Sequence, residues 1–138
     1  MQTIAHTLLR GSVGYLLVIW GADKLVNPAH GVAVANRFYL GLLGAPQWMT
    51  LLGLGEAALG LLVIAGVWRH LTYPLVAGIT AVTMLGVWRS IIDPWGWYLT
   101  GTNALFYPSL IIFAAVLVLL ADERELRARA PGLVESAR

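Results

Sequence analysis

The chain has 138 residues, of which 59% are hydrophobic and only 12% are charged, and its formal net charge is +2. Soluble domains carry about 25% charged and about 45–50% apolar residues, so this composition indicates an integral membrane protein. The small positive charge, without a clustered basic stripe, gives no indication of nucleic acid binding. Because the chain has no cysteine, disulfides, thiolate-ligated metals and cysteine nucleophiles are excluded.

Four stretches are predicted to cross a lipid bilayer as α-helices, each of which needs about 20 apolar residues. The runs 51–67, 71–87 and 102–121 together contain a single charged residue, Glu56. The first stretch contains Arg10, so a secretory signal peptide is the competing interpretation of that segment. The predicted helices occupy residues 4–24, 48–67, 71–92 and 102–121.

The fold class expected from these helices is an all-α integral membrane protein, built as a four-transmembrane-helix antiparallel bundle. Residues 1–121 form the membrane domain, with a long outer loop between the first two helices. Proline at positions 28 and 46 marks the two ends of that loop. Residues 122–138 form a polar cytoplasmic tail, in which Glu and Arg at i,i+4 spacing are typical of a solvent-exposed helix.

Lys and Arg predict the orientation, because cytoplasmic loops carry an excess of these residues. Six of them fall on the side of the two termini, which is therefore expected to be the cytoplasm: Arg10, Arg69, Arg124, Arg127, Arg129 and Arg138. Three fall on the opposite side: Lys24, Arg37 and Arg89. All six tryptophans lie near predicted span ends, as in an interfacial aromatic belt.

Glu56 is the candidate functional residue, because it lies about 3 Å from the bilayer midplane, where an unpaired carboxylate is costly. Arg10 and Arg89 each lie about 9 Å from it along the bilayer normal and are its predicted partners. The alternative is that such a pair only fixes the register of the helices. Small residues on the face of Glu56 would let a neighbouring helix approach: Gly53, Ala57 and Gly60.

A second group of polar residues is expected at the outer end of the bundle, as a pocket for a substrate or a head group. The group consists of Asp23, Lys24, Arg89, Asp93, Tyr98, Asn103 and Tyr107. Alternatively, Arg89 and Asp93 simply pair at i,i+4 spacing. The sequence has no metal site of recognisable spacing, and haem ligation by His6 and His70 is less favoured than two ordinary interfacial histidines.

Two stretches share the pattern of a known family. "LLRGSVGYLLVIWGADKL" has an arginine, small residues and a Gly-x-x-Lys-Leu end, and "HGVAVANRFYLGLLGAPQWMTLLGLGEAALGLLVIAGVWRHL" has a glutamate followed by an apolar run. They resemble the first two helices of the DoxX family, over about residues 7–70. The resemblance implies a small four-helix protein of the prokaryotic inner membrane; some relatives are the membrane subunit of a thiosulfate:quinone oxidoreductase. The positions that it implies as functional are Arg10, Gly21, Lys24, Glu56, Gly60 and Gly66.

The expected function is therefore that of a redox-linked membrane subunit that interacts with a quinone and has no covalent cofactor. Glu56 would accept or relay a proton, while Arg10 or Arg89 holds its charge. A redox partner protein or the quinone would supply the redox centre, and whether the chain is itself an enzyme stays open. Two alternatives remain: a non-catalytic scaffold or anchor for a partner oxidoreductase, and a small-solute transporter, for which four short spans would have to form a homo-oligomer.

Overall fold

The computed structural model describes residues 2–135, with side chains described from residue 3 to residue 129. All regular secondary structure in this part of the chain is helical. Met1 and residues 136–138, which include Arg138 and the end of the predicted tail, lie outside the described residues. The helices are α1 (Gln2–Val26), α2 (Pro28–Phe38), α3 (Pro46–Ala65), α4 (Arg69–Gly86), α5 (Trp88–Ile92) and α6 (Pro108–Glu135), with a 3₁₀ turn at Ala104–Phe106.

Three helical segments are long and apolar enough to cross a membrane: Thr3–Val26, Pro46–Ala65 and Ala104–Arg129. Their outward faces carry large apolar side chains, such as Leu8 and Leu61, which are 67% and 60% exposed. Soluble proteins rarely leave so much contiguous apolar surface in water, so the helices indicate a multi-pass protein in a lipid bilayer. The helical class is confirmed. A fourth span stays a prediction, since α4 begins with Arg69 and His70 and is not among the three segments.

The predicted third helix, 71–92, is divided in the structure. Helix α4 ends at Gly86, Val87 has a non-helical backbone, and the five-residue helix α5 follows. The ring of Tyr39 packs against Gly86 so closely that a Cβ there would lie 2.6 Å from Tyr39 Cε1. The long link between α1 and α3, predicted as a loop, contains the 11-residue helix α2, which packs against both of its neighbours.

Helix boundaries follow the proline and glycine positions of the sequence. Helices α2 and α3 each begin with a proline, whose missing N–H would have no partner in a first turn. Helix α3 ends at Gly66, which adopts the left-handed conformation with φ +71. The N–H of Val67 then donates to Leu62 O at 3.0 Å, as in a Schellman motif. Helix α4 starts directly afterwards, so α3 and α4 are neighbours.

Helices α1 and α3 form the most extensive helix contact, and glycines bring them together. A Cβ on Gly21 would lie 2.5 Å from Gly53 O, and a Cβ on Gly60 would lie 2.5 Å from Gly14 O. The two contacting glycines of each helix are seven residues apart, and they face each other in opposite chain order, Gly14 against Gly60 and Gly21 against Gly53. The two helices are therefore antiparallel and in a defined register. Such close approach supplies the dispersion contacts that hold helices together in a membrane, where the hydrophobic effect does not.

The buried core lies where α1, α3, α4 and α6 meet. Helix α4 packs mainly against α6, and each of these helices also contacts the α1–α3 pair. The core side chains are Val13, Leu17, Val63, Tyr73, Val76, Val116 and Leu119. The core therefore separates the two ends of the bundle, and each end carries its own polar residues.

Candidate functional site

Glu56 forms an ion pair with Lys24. The Lys24 Nζ donates a hydrogen bond to Glu56 Oε2 at 2.7 Å, across the contact between α1 and α3. Both side chains are largely withdrawn from the surface, with 22% of Lys24 and 14% of Glu56 accessible. The prediction that Glu56 pairs with Arg10 or Arg89 is therefore wrong, because its partner is the lysine at the end of α1.

The direction of helical side chains explains this partner. In the register set by Gly21 and Gly53, Lys24 lies level with position 50, about 9 Å from Glu56 along the helix axes. Side chains of an α-helix lean towards its N-terminus. Because α1 and α3 are antiparallel, Lys24 and Glu56 lean towards each other, and their combined length closes the gap.

Arg10 leans the other way. It lies level with position 64, about 12 Å from Glu56 along the helix axes, and its side chain points towards the N-terminal end of α1. Its guanidinium instead reaches the end of α3, where Nη1 lies 2.7 Å from the place that a Gly66 Cβ would occupy. The structure thus keeps Arg10 and Glu56 in separate places.

A second polar centre forms around Arg10 at this other end of the bundle. Arg69 Nη2 lies 3.1 Å from the same point beside Gly66, and Arg69 Nε donates to Gly66 O at 3.1 Å. Within the described residues, the buried Arg10 Nε and the buried Tyr73 hydroxyl have no hydrogen-bond partner. Two guanidinium groups therefore lie close together beside Gly66.

The Lys24–Glu56 pair lies beside α2. A Cβ on Gly31 would lie 2.5 Å from Met49 Sδ and, at ordinary contact distance, 3.5 Å from Lys24 Cγ, so α2 passes close to the lysine stem. The ammonium is also 3.5 Å from Trp20 O. An ammonium and a carboxylate in this environment compensate each other, and a proton added to Glu56 would leave the Lys24 charge without its counterion.

Asp93 organises the loop after α5 and does not pair with Arg89. Its carboxylate accepts hydrogen bonds from the backbone N–H groups of Trp97, Tyr98 and Leu99 at 3.0, 2.6 and 2.8 Å. Burial acts to raise the pKa of Asp93, but the backbone donors outweigh it and hold that pKa below its usual value. Among the described residues, Asp93 forms no ion pair, so the predicted alternative of an Arg89–Asp93 pair is wrong.

The other members of the predicted outer group are distributed among local contacts. Asp23 Oδ2 lies 2.6 Å from His30 Nδ1 on α2. The Asn103 side chain accepts from Leu105 N at 2.9 Å, and its own N–H donates to Ser90 Oγ at 3.0 Å. Tyr107 is exposed at the start of α6. The structure therefore does not bring these residues together into one pocket around Glu56.

Arg89 instead lines a cavity with Arg37, a residue that the sequence reasoning did not select. The cavity lies between the end of α2 and the start of α5 and has a volume of about 270 Å³. Each arginine lies near the aromatic ring of its neighbour, Arg37 over Phe38 at 5.5 Å and Arg89 over Trp88 at 5.7 Å. The sequence signal was present, because both arginines flank aromatic residues at predicted interfacial positions.

Among residues 3–129, no three His, Cys, Asp or Glu side chains lie close enough together to bind a metal ion. His6 lies 3.1 Å from Asp122, and His30 is engaged by Asp23.

The class defined by the fold is an all-helical protein with at least three helices suited to a membrane. Comparison of the chain with models of protein families, with curated proteins and with solved structures gives no match.

Proposed function

We propose that the chain is a redox-linked subunit of a prokaryotic inner membrane, in which the Lys24–Glu56 pair exchanges a proton with a quinone-class molecule bound beside it. The observation that carries the proposal is the 2.7 Å ion pair between two helices suited to a bilayer. Ionisable residues within such helices are costly and commonly serve ligand or proton pathways. The resemblance of residues 7–70 to the DoxX family supports the same class of protein.

The chemistry of a quinone explains why such a pair would be useful. Reduction of a quinone to a quinol takes up two electrons and two protons. Protonated Glu56 can donate these two protons one at a time, with renewed protonation in between, and the adjacent Lys24 ammonium stabilises the carboxylate that each transfer leaves behind. The proposal assigns the electrons to a partner protein and the renewed protonation of Glu56 to water at the nearer membrane surface.

Helix α3 leaves room for an apolar molecule on its outward face, which lies roughly 100° or more around the helix from Glu56. Gly55 is exposed, and a Cβ at that position would meet nothing within 4 Å. Leu54 and Leu51 on the same helix are 57% and 61% exposed. A ligand that dissolves in the bilayer can therefore approach α3 laterally. In the proposal both termini are cytoplasmic, as the Lys and Arg distribution favours, so the pair lies in the outer half of the membrane.

Binding of decylubiquinone to the full chain in phospholipid nanodiscs tests the proposal, with quenching of tryptophan fluorescence as the readout. The isosteric Glu56→Gln variant should bind the quinone at least about tenfold more weakly, because it leaves the Lys24 ammonium without a counterion next to a neutral ligand. Glu125→Gln on the exposed part of α6 is the matched control and should bind like the unaltered chain. Equal affinity of the Glu56→Gln variant, at an unchanged melting temperature, would contradict the role of Glu56.

A scaffold is the second candidate, and the continuity of α6 favours it. The helix runs without interruption from its apolar segment into a charged one, where Glu123 pairs with Arg127 at 2.9 Å and Glu125 with Arg129. A rigid charged extension of this kind can dock a partner. Capture of a partner oxidoreductase that survives Glu56→Gln but is lost on deletion of residues 122–138 would support the scaffold over the quinone site.

A further inference from the structure

Two neighbouring cavities lie where α2, α5 and the start of α6 approach one another. The first, of about 270 Å³, is lined by the side chains of Arg37 and Arg89 and by backbone at both ends of the loop that follows α5. Its size is close to the lower end of small-molecule sites, which begin at about 300 Å³. Its lining includes Trp88, which the sequence predicts at the membrane interface. The first cavity is therefore a recess of mixed polarity that carries two arginines.

The carboxylates that precede the polar end of the sequence have partners other than Arg37 and Arg89. Of the seven acidic residues, four follow position 121 in the polar end of the sequence. The other three have partners: Asp23 pairs with His30, Glu56 with Lys24, and Asp93 with backbone N–H groups. Within the described residues, no carboxylate lies within 4.0 Å of either Arg37 or Arg89. Among the residues with described side chains, no carboxylate therefore balances the charges of these two exposed arginines.

The second cavity is apolar and adjoins the first. Its volume is about 250 Å³, and Trp88 lines both cavities. Its other lining residues come from the end of α4, from α5 and from the start of α6: Met84, Leu85, Ile91, Ile92 and Leu110. Ile92 is 71% exposed and Leu85 is 63% exposed, so this cavity opens towards the lipid-facing surface.

We propose that the two cavities together bind one anionic phospholipid, with its phosphate on Arg37 and Arg89 and an acyl chain in the apolar cavity. Guanidinium groups match the oxygens of a phosphate in bidentate hydrogen bonds. A lipid with net negative charge balances the two arginines better than a zwitterionic lipid, whose choline cation offsets the phosphate. The order of the two cavities, charged at the interface and apolar beside it, is the order of head group and acyl chain in a lipid.

Native mass spectrometry of the delipidated full chain tests the charge requirement. Phosphatidylglycerol should bind at least about tenfold more tightly than phosphatidylcholine with the same acyl chains, and the double variant Arg37→Gln/Arg89→Gln should lose this preference. The matched control is Arg124→Gln/Arg129→Gln, which removes the same charge from the exposed part of α6 and should keep the preference. Equal binding of the two lipids, or a preference that survives in the Arg37/Arg89 variant, would overturn the site.

Soluble glycerol phosphate distinguishes a lipid from a free phosphate. It should displace phosphatidylglycerol only at a large excess, because it cannot use the apolar cavity. Leu110→Trp, which fills that cavity, should weaken lipid binding, whereas Leu110→Ala, which leaves it open, should not. If glycerol phosphate competes as well as the lipid and Leu110→Trp has no effect, the recess binds phosphate alone and the lipid assignment is wrong. Melting temperatures of all variants identify any that fail to fold.

Discussion

Replacing Gly21 by alanine should force α1 and α3 apart. The added Cβ would lie 2.5 Å from Gly53 O and 2.6 Å from Ala57 N, and neither backbone atom can rotate away. An ordinary C···O contact is about 3.3 Å or longer, so the helices must separate locally by about 0.8 Å. A gap of that size removes about a quarter to a half of the dispersion energy of each contact across the interface. We expect the free energy of unfolding to fall by about 1–3 kcal/mol.

Gly55→Ala is the matched control on the partner helix. A Cβ there would meet nothing within 4 Å, and alanine is favoured over glycine inside a helix by about 1 kcal/mol. Its stability should therefore be equal to or above that of the unaltered chain. The assay is unfolding in mixtures of a mild detergent and sodium dodecyl sulfate, followed by tryptophan fluorescence. If Gly21→Ala is as stable as Gly55→Ala, then α1 and α3 do not approach as closely as described.

Three further changes test the charged and strained residues. In the same assay, Lys24→Met and Glu56→Leu should show a coupling energy of about 1–3 kcal/mol in a double-mutant cycle, whereas purely additive losses would contradict the ion pair. Although burial alone would raise the pKa of Asp93, backbone hydrogen bonds hold that pKa below its usual value, so the loop is stabilised at pH values above the ordinary carboxyl pKa and loses this contribution as the pH falls through the lowered pKa. Amide NMR shifts of the loop should change in that acidic range in the unaltered chain and not in Asp93→Asn. Gly66→Ala should cost about 1–2 kcal/mol, because φ is +71 and the Cβ would collide with a guanidinium, while a normal melting temperature would exclude that strain.

The sequence was sufficient to predict the helical class and the face on which α3 packs. Low charge and long apolar runs indicated membrane helices, and three segments in the structure meet that description. The small residues beside Glu56 predicted a close approach of another helix, and Gly53 and Gly60 do contact α1 in this way. Both features depend on composition and periodicity, which a sequence shows directly.

The partner of Glu56 could not be found from vertical positions alone. Judged by the positions of their Cα atoms along the bilayer normal, Arg10 and Arg89 were the expected partners, and Lys24 was assigned to the outer end of the bundle. What decides the pairing is the lean of each side chain towards the N-terminus of its own helix, combined with an antiparallel register. That register depends on which glycines meet, and the contacts of Gly14 and Gly21 show it only in the folded chain.

Contacts between distant parts of the chain account for the other differences. The end of α4 at Gly86 coincides with the ring of Tyr39, which lies 47 positions earlier in the sequence. Asp93 was predicted to bind a ligand or pair with Arg89, yet the loop that follows turns its own N–H groups to the carboxylate. Arg37 lines a cavity with Arg89 because α2 is a helix that packs on the bundle, whereas a loop had been expected there.

The separation of Arg10 from Glu56 bears on the choice between a ligand site and a transport path. Along α1, Val13 and Leu17 lie between Arg10 and Lys24 and are 6% and 0% exposed, within the buried core. An ion or polar solute that moved along this contact would have to cross a packed apolar layer without a polar group to replace its hydration, which is costly. The Lys24–Glu56 pair, the proposed site of proton exchange, lies on one side of that layer. The arrangement disfavours a continuous polar path along the α1–α3 interface.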